Sequence, residues 1–285
     1  MRPFSPSAIM GRKGICQEKE GIVMELEQLA LGASAIVKEA GELIKSIPRP
    51  KIFTKEGHAN FVTEADMASQ KYLIAHLASL LPEAHFFAEE QEDNKLAPGW
   101  NWIIDPIDGT TNFIRNCHAS TISVGLIKDG EGMLGLVLDP YRDELFTGIR
   151  GKGAFCNQEP MQVSHVPVEN ALIAFGTSPY YEELNDATFG MAKELCLRCG
   201  DLRRSGSAAL DLCHLAQGCF DGFFELRLSP WDYAASSVIL QEAGACIGTV
   251  PGRQFTYERP QTVLAGTKEV YALLQETAKK YCSQG

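Results

Sequence analysis

The stretch WIIDPIDGTTNF, residues 102–113, constrains the fold more than any other part of the chain. An apolar run of strand length ends on Asp105, and Asp108, Gly109, Thr110 and Thr111 follow at once. A buried strand that ends in a carboxylate holds it rigidly at a sheet edge, and a second carboxylate three residues on, past a Pro-Ile turn, can reach the same point in space. Two anions that close repel unless a cation or a proton lies between them. Oxygen ligands of this kind suit Mg²⁺, which binds through a few carboxylates and keeps positions open for a phosphate. Gly109 permits close backbone approach, and the amides of Gly109 and Thr110 can cradle a phosphate if a short helix begins there. Taken alone, the motif reads equally well as a loop with two solvated aspartates and a helix cap.

Its company weakens that plainer reading. The segment FAEEQ places Glu89 and Glu90 directly after another apolar run, HFFA. The segment LSPWDYAASS places Asp232 in the first turn of a helix, with Ser229 as N-cap and Pro230 at the first helical position. Singly, Glu89 is an ordinary loop acid and Asp232 a charge favoured by the helix dipole. Together with Asp105 and Asp108 they are four carboxylates at element ends, as a two-metal phosphoryl-transfer site requires.

Around these residues helices and strands mix without strict alternation. Apolar residues from Leu26 to Ile47 fall at helical spacing, and Pro48 stops the run, so a helix is expected from Met24. A second starts at Thr63, with Asp66 three residues on, and ends at Pro82. Strands are expected at 85–88, 102–105, 121–127, 135–139, 144–149, 172–175, 221–226 and 262–266, and further helices at 181–197, 207–216, 230–243 and 268–281. This pattern suits an α+β fold of layered helices and sheets. Residues 1–23 show no periodicity and no apolar core of a leader peptide; they read as a disordered extension, with residues 24–285 as one domain.

Charge and cysteine usage narrow the partners. A formal net charge of −10 argues against nucleic-acid binding, which needs clustered Lys and Arg. Nine scattered cysteines do not form a disulfide scaffold and suit a reducing cytoplasm, and nothing suggests a membrane segment. Cys196 and Cys199 make a lone CxxC at a helix end, a weak metal or redox signal. Gly130, Gly132 and Gly135 satisfy GxGxxG, but a strand and not a helix follows, so a β-hairpin turn is expected.

DPIDGTTNF (105–113), VTEAD (62–66), AEE (88–90) and PWDYAASSVILQEAG (230–244) resemble the motifs of the inositol monophosphatase family of Mg²⁺-dependent phosphatases, in order and spacing. The likeness covers nearly the whole chain after Met24. It implies the αβαβα sandwich of the sugar phosphatases and a homodimer. It further implies that Glu89, Asp105 and the carbonyl of Ile107 hold one metal, that Asp105, Asp108 and Asp232 hold a second, and that Glu89 helps a weaker third through waters. Asp66 would orient the Thr110 hydroxyl, which with Glu89 positions the attacking water, and Asp108, Gly109 and Asp232 would also line the substrate. Glu225, with Gly206, Ser207 and Ala208, would contact the substrate's hydroxyls. Ala88 stands where a glycine is usual and Gly244–Ala245 where two glycines are, departures that touch no ligand.

The implied substrate is a small phosphomonoester: inositol monophosphate or another sugar phosphate, with histidinol phosphate or adenosine 3',5'-bisphosphate as alternatives. Two rivals differ in kind. An aspartyl-phosphate enzyme needs DxDGT, but two residues separate Asp105 from Asp108. A non-catalytic partner of RNA or transcription machinery would not need the full carboxylate set.

Overall fold

The first half of the chain builds one large sheet and the helices over its outer face. The computed structural model describes residues 7–55 and 61–282. Helix α1 (Ser7–Lys45) leads into a hairpin of β1 (Ile52–Thr54) and β2 (Phe61–Thr63), followed by α2 (Glu64–Leu80). Then come β3 (His85–Ala88), β4 (Trp100–Asp108), the short helix α3 (Thr110–Ile114), β5 (Thr121–Lys128), β6 (Glu131–Asp139), β7 (Glu144–Ile149), β8 (Gly153–Cys156) and β9 (Glu159–Met161). These seven strands pair in chain order, β3 parallel to β4 and the rest antiparallel.

The second half adds β10 (Leu172–Phe175), α4 (Asn185–Cys196), β11 (Asp201–Arg203), α5 (Ala208–Ala216), β12 (Gly222–Leu228), α6 (Pro230–Glu242), β13 (Cys246–Gly248), β14 (Gln261–Gly266) and α7 (Lys268–Tyr281). Its strands form a five-stranded sheet in the order β11-β10-β12-β14-β13.

Three cores set the layers. Leu73, Leu77 and Val37 of α1 and α2 pack on Trp102, Ile104 and Leu136 of the large sheet. Ile103, one residue out of phase, faces the other way and joins Phe146, Leu212, Tyr233, Ile239, Phe223 and Val263 between the two sheets. Phe224 and Leu264 face outward from the small sheet onto Met191, Leu195, Leu273 and Leu274 of α4 and α7. The order is therefore helix, sheet, helix, sheet, helix, as expected. Strands buried on both faces explain why their sequences read as continuous apolar runs.

Close packing of α6 fixes one end of the site. Gly125, Gly135 and Gly148 lie on β5, β6 and β7 beneath that helix; a Cβ on Gly135 would fall 2.1 Å from the Ala235 carbonyl oxygen, and one on Gly148 would fall 2.6 Å from Ile239 Cα. Absence of side chains there lets the α6 backbone rest on the sheet, so Asp232 in its first turn is carried to the end of β4 and β5.

Several expectations need correction. Helix α1 begins at Ser7, not Met24. Apolar periodicity reports which face is packed, not where the helical backbone starts, and no proline lies between Pro6 and Met24. Residues 1–6 of the expected extension lie outside the described residues. The helix expected from 181 starts at Asn185, after a 3₁₀ turn at Glu182–Leu184. The β5–β6 connection at Asp129–Gly130 is a hairpin turn with both φ angles positive (48° and 81°), as read from the glycine motif. No helix among the described residues is long and apolar enough to cross a membrane.

Candidate active site

Asp105 and Asp108 lie on one strand, not on either side of a turn. Asp105 pairs with Ser123 and Asp108 with Thr121, so β4 places Pro106 and Ile107 where β5 has only Ile122. Residues three apart on a regular strand face opposite ways; this bulge brings both carboxylates to one side. The bulge is pinned from α2 and α3: Ser69 Oγ donates to the Pro106 carbonyl (3.1 Å) and Thr110 Oγ1 to the Ile107 carbonyl (3.1 Å).

Each aspartate is held by one oxygen. Asp105 Oδ1 accepts from the Ile107 amide (3.0 Å). Asp108 Oδ2 accepts from Ser207 Oγ (2.5 Å) and the Ala209 amide (2.8 Å) at the start of α5, with Thr121 Oγ1 at 3.5 Å. Asp232 Oδ2 accepts from the Ser229 amide (2.7 Å) in the capping box of α6. Backbone anchors fix three carboxylates on two elements, β4 and α6, and one oxygen from each lies within 4.8 Å of the others, a group that could hold a metal ion.

The electrostatics ask for such an ion. Burial pushes Asp105 well above the usual carboxylate range, and the charges of Glu89, Asp108 and Asp232 add to it. Asp232 is raised for the same reasons, burial first and then Asp108 and Glu89. Asp108 is raised by burial although Ser207 and the Ala208 and Ala209 amides oppose it. Three anions with a desolvation cost and mutual repulsion become favourable ligands around a hard divalent cation. The donor set, all oxygen, fits Mg²⁺.

Glu89 stands outside that group of three. Its amide donates to the Ile104 carbonyl (3.1 Å), which places it beside β4, and its Oε1 accepts from Lys55 Nζ (3.1 Å); Glu90 accepts from the same ammonium at 2.5 Å. Burial pushes Glu89 up to about 7, against the pull of Lys55. Asp66 closes the capping box with Thr63 and accepts from Thr110 Oγ1 at 3.4 Å; burial raises it to about 6. Asp66, Thr110 and the bulge are thus one connected unit.

Gly109 (φ 84°) and Gly206 (φ 92°) occupy the left-handed region and pack on each other: a Cβ on Gly109 would meet the Gly206 carbonyl oxygen at 3.2 Å. Asn112 Nδ2 joins the two loops by donating to the carbonyls of Ser205 (3.0 Å) and Ala119 (2.7 Å). Ser207, read from the sequence as facing substrate, spends its hydroxyl on Asp108. Glu225 is buried inside β12, and its Oε1 accepts from the Ser178 amide (2.8 Å) and hydroxyl (3.2 Å). Burial pushes it up to about 7. Sequence reasoning missed Lys55, Thr121 and Ser178. Of these only the GTSP turn composition around Ser178 left any signal.

This geometry has relatives. The model of the inositol monophosphatase family matches residues 25–283. The inositol-1-monophosphatase of Bacillus subtilis is 33% identical over 245 residues, covering 84% of this chain and 92% of that one. The Nus factor SuhB of Vibrio cholerae is 32% identical over 255 residues, covering 87% and 94%. Among solved structures, an IMPase/NADP phosphatase complexed with Mg²⁺ and phosphate superposes with a TM-score of 0.79 at 25% identity, covering 88% of this chain and 95% of that one. A family match over residues 25–283, a range that spans all five layers and every carboxylate of the site, leads to one conclusion: the chain belongs to the inositol monophosphatase family.

Proposed function

We propose that this chain is a Mg²⁺-dependent phosphomonoesterase that hydrolyses inositol monophosphate or a related small polyol or sugar phosphate. The observation that carries the reading is the group of Asp105, Asp108 and Asp232, each anchored by a backbone amide and each placing a carboxylate oxygen within 4.8 Å of the others. Asp105, Glu89 and the Ile107 carbonyl would hold one ion, and Asp105, Asp108 and Asp232 a second. Mg²⁺ bound there supplies Lewis-acid polarisation of the phosphoryl group, stabilisation of the leaving oxygen and a lowered pKa for water.

The chain's own residues then do the positioning. The single proton of the Thr110 hydroxyl is shared between the Ile107 carbonyl (3.1 Å) and Asp66 (3.4 Å), and the two acceptors fix its direction, so Thr110 and Glu89 orient a water for in-line attack on phosphorus. The amides of Gly109 and Thr110 would face the phosphoryl oxygens, and Glu225, Gly206 and Ala208 the leaving alcohol. No side chain forms a bond to phosphorus: water's oxygen becomes part of inorganic phosphate, and the alcohol departs with a proton from solvent.

The reading includes a homodimer in a reducing cytoplasm, supported by the family and by nine scattered cysteines. A second role beside transcription machinery is raised by the SuhB relative; a net charge of −10 argues against direct contact with nucleic acid. The test is phosphate release from a panel of inositol 1-phosphate, fructose 1,6-bisphosphate, histidinol phosphate and adenosine 3',5'-bisphosphate, with Mg²⁺ and with EDTA. Mg²⁺-dependent turnover greatest on a cyclic polyol or sugar phosphate is expected; preference for either of the last two would move the substrate, and no turnover on any would refute the activity.

A further inference from the structure

The loop after β10 carries an aromatic ring to the mouth of the carboxylate site on an unusual backbone. Ser178 has φ 42°, in the left-handed region that residues with a Cβ avoid. Its amide donates to Glu225 Oε1 (2.8 Å), and its hydroxyl lies 3.2 Å from the same oxygen and 3.1 Å from the Arg227 carbonyl. That hydroxyl also accepts from the Arg227 amide (3.2 Å). Gly176 is needed beside it, because a Cβ there would fall 1.8 Å from Glu225 Oε2. Thr177 Oγ1 accepts from Arg204 Nη2 (3.1 Å), which ties the loop to the segment whose Ser207 holds Asp108.

The turn then closes through the Tyr181 amide onto the Ser178 carbonyl (3.0 Å), and the Arg227 guanidinium covers the Tyr181 ring at 4.4 Å. Tyr180 is left half exposed (48%), with burial the first cause that raises its hydroxyl's pKa. Its hydroxyl lies within electrostatic reach of Glu89, Asp232 and Asp105, and of Lys55. Folding alone gives no reason for a strained serine to be clamped so that a half-exposed aromatic side chain is held near a set of buried carboxylates; strain of this kind collects at functional sites.

We propose that Tyr180 is the specificity-determining wall of this site, its ring packing on the apolar face of a cyclic alcohol whose phosphate is turned toward the carboxylates. The inference rests on the phosphomonoesterase reading and adds the shape of the leaving group. A cyclitol or sugar ring presents a flat face of C–H groups that an aromatic face can cover, while an acyclic polyol does not. Glu225 acts here as a positioning residue, because it holds the serine on which the loop turns.

The experiment compares kcat/KM for inositol 1-phosphate with that for glycerol 2-phosphate, under saturating Mg²⁺, in the wild-type chain, Tyr180→Ala and Tyr180→Phe. Removing the ring is expected to lower the cyclic-to-acyclic ratio about five- to tenfold, chiefly through KM, the size of one aromatic-face contact. Tyr180→Phe should keep the ratio within about twofold. A ratio that Tyr180→Ala leaves unchanged would overturn the proposal, and an equal fall in Tyr180→Phe would assign the effect to the hydroxyl and overturn it too. If the wild-type chain hydrolyses neither ester, the functional reading itself fails, an outcome distinct from activity with an unchanged ratio.

Discussion

Asp211 should make the folded chain less stable as pH rises, and Asp211→Asn should remove the effect. The residue lies in the first turn of α5 at 2% exposure. One oxygen faces the Ser205 amide at a long 3.5 Å, and Oδ1 has no hydrogen-bond partner. Burial is the main cause that raises its pKa from 3.8 to about 7; the Ser205 contacts oppose it, the Asp108 charge adds to it and Arg204 pulls it down. The folded state therefore binds this proton more tightly than the unfolded chain. Below pH 4 the carboxyl is neutral in both states and costs nothing. From about pH 4 to about 7 the unfolded chain releases the proton first, so stability falls, and the penalty is complete above 7. About three units at 1.36 kcal/mol each set an upper bound of about 4 kcal/mol, reduced by any local relaxation. Asparagine keeps an oxygen for the Ser205 amide and carries no charge. Denaturant unfolding in EDTA at pH 4.5 and 8 should show the variant close to wild type at the lower pH and more stable by about 2–4 kcal/mol at the higher. A difference that is the same at both pH values would refute the reasoning.

Three other outcomes follow from the packing and the site. Gly135→Ala would push a Cβ into the Ala235 carbonyl; a loss of about 1–3 kcal/mol is expected in denaturant unfolding, with Mg²⁺ affinity reduced as Asp232 shifts, and unchanged stability would contradict the packing described for α6. At pH 8, above its raised pKa of about 7, Glu225→Gln should lower kcat/KM on inositol 1-phosphate about 10- to 100-fold, since a charged acceptor is lost, while p-nitrophenyl phosphate, with no hydroxyls to offer, changes little; equal losses on both would move Glu225 from the substrate to the fold. A chain starting at Met24 keeps the buried face formed by Leu26, Leu29, Ala30, Ala33 and Val37, so its Tm should stay within a few degrees of the full chain's; a larger fall would show that residues 1–23 pack on the body.

The layers were legible where a local rule decides them. Thr63 and Asp66, Ser229 and Asp232, and Ser207 each announce a helix start, and all three starts bring a side chain to the candidate site. Short edge strands such as β1, β9, β11 and β13 were not legible, because three residues paired on one side carry no period of their own. The bulge at Pro106–Ile107 could not be read either: it is fixed by pairing with β5, and Ile122 lies well apart in sequence. The same holds for the clamp between Ser178 and Glu225, 47 residues apart. Motif spacing located the carboxylates that share the site, while the loop that shapes its mouth is made by long-range hydrogen bonds to which no local pattern corresponds.

The central claim is that Asp105 holds the metal on which phosphate release depends, and calorimetric titration of Mg²⁺ into wild-type and Asp105→Asn protein, with turnover of inositol 1-phosphate measured on the same samples, tests it most directly. Asp105 lies between Asp108, Asp232 and Glu89, so removing its charge weakens every ion position the site can offer. The account predicts Mg²⁺ binding to the wild-type chain, loss of that binding in the variant, a fall in turnover of at least about a hundredfold, and a metal-free Tm no lower than wild type, because repulsion among buried carboxylates has been relieved. Turnover within about tenfold of wild type at saturating Mg²⁺, or undiminished Mg²⁺ binding by the variant, would contradict it.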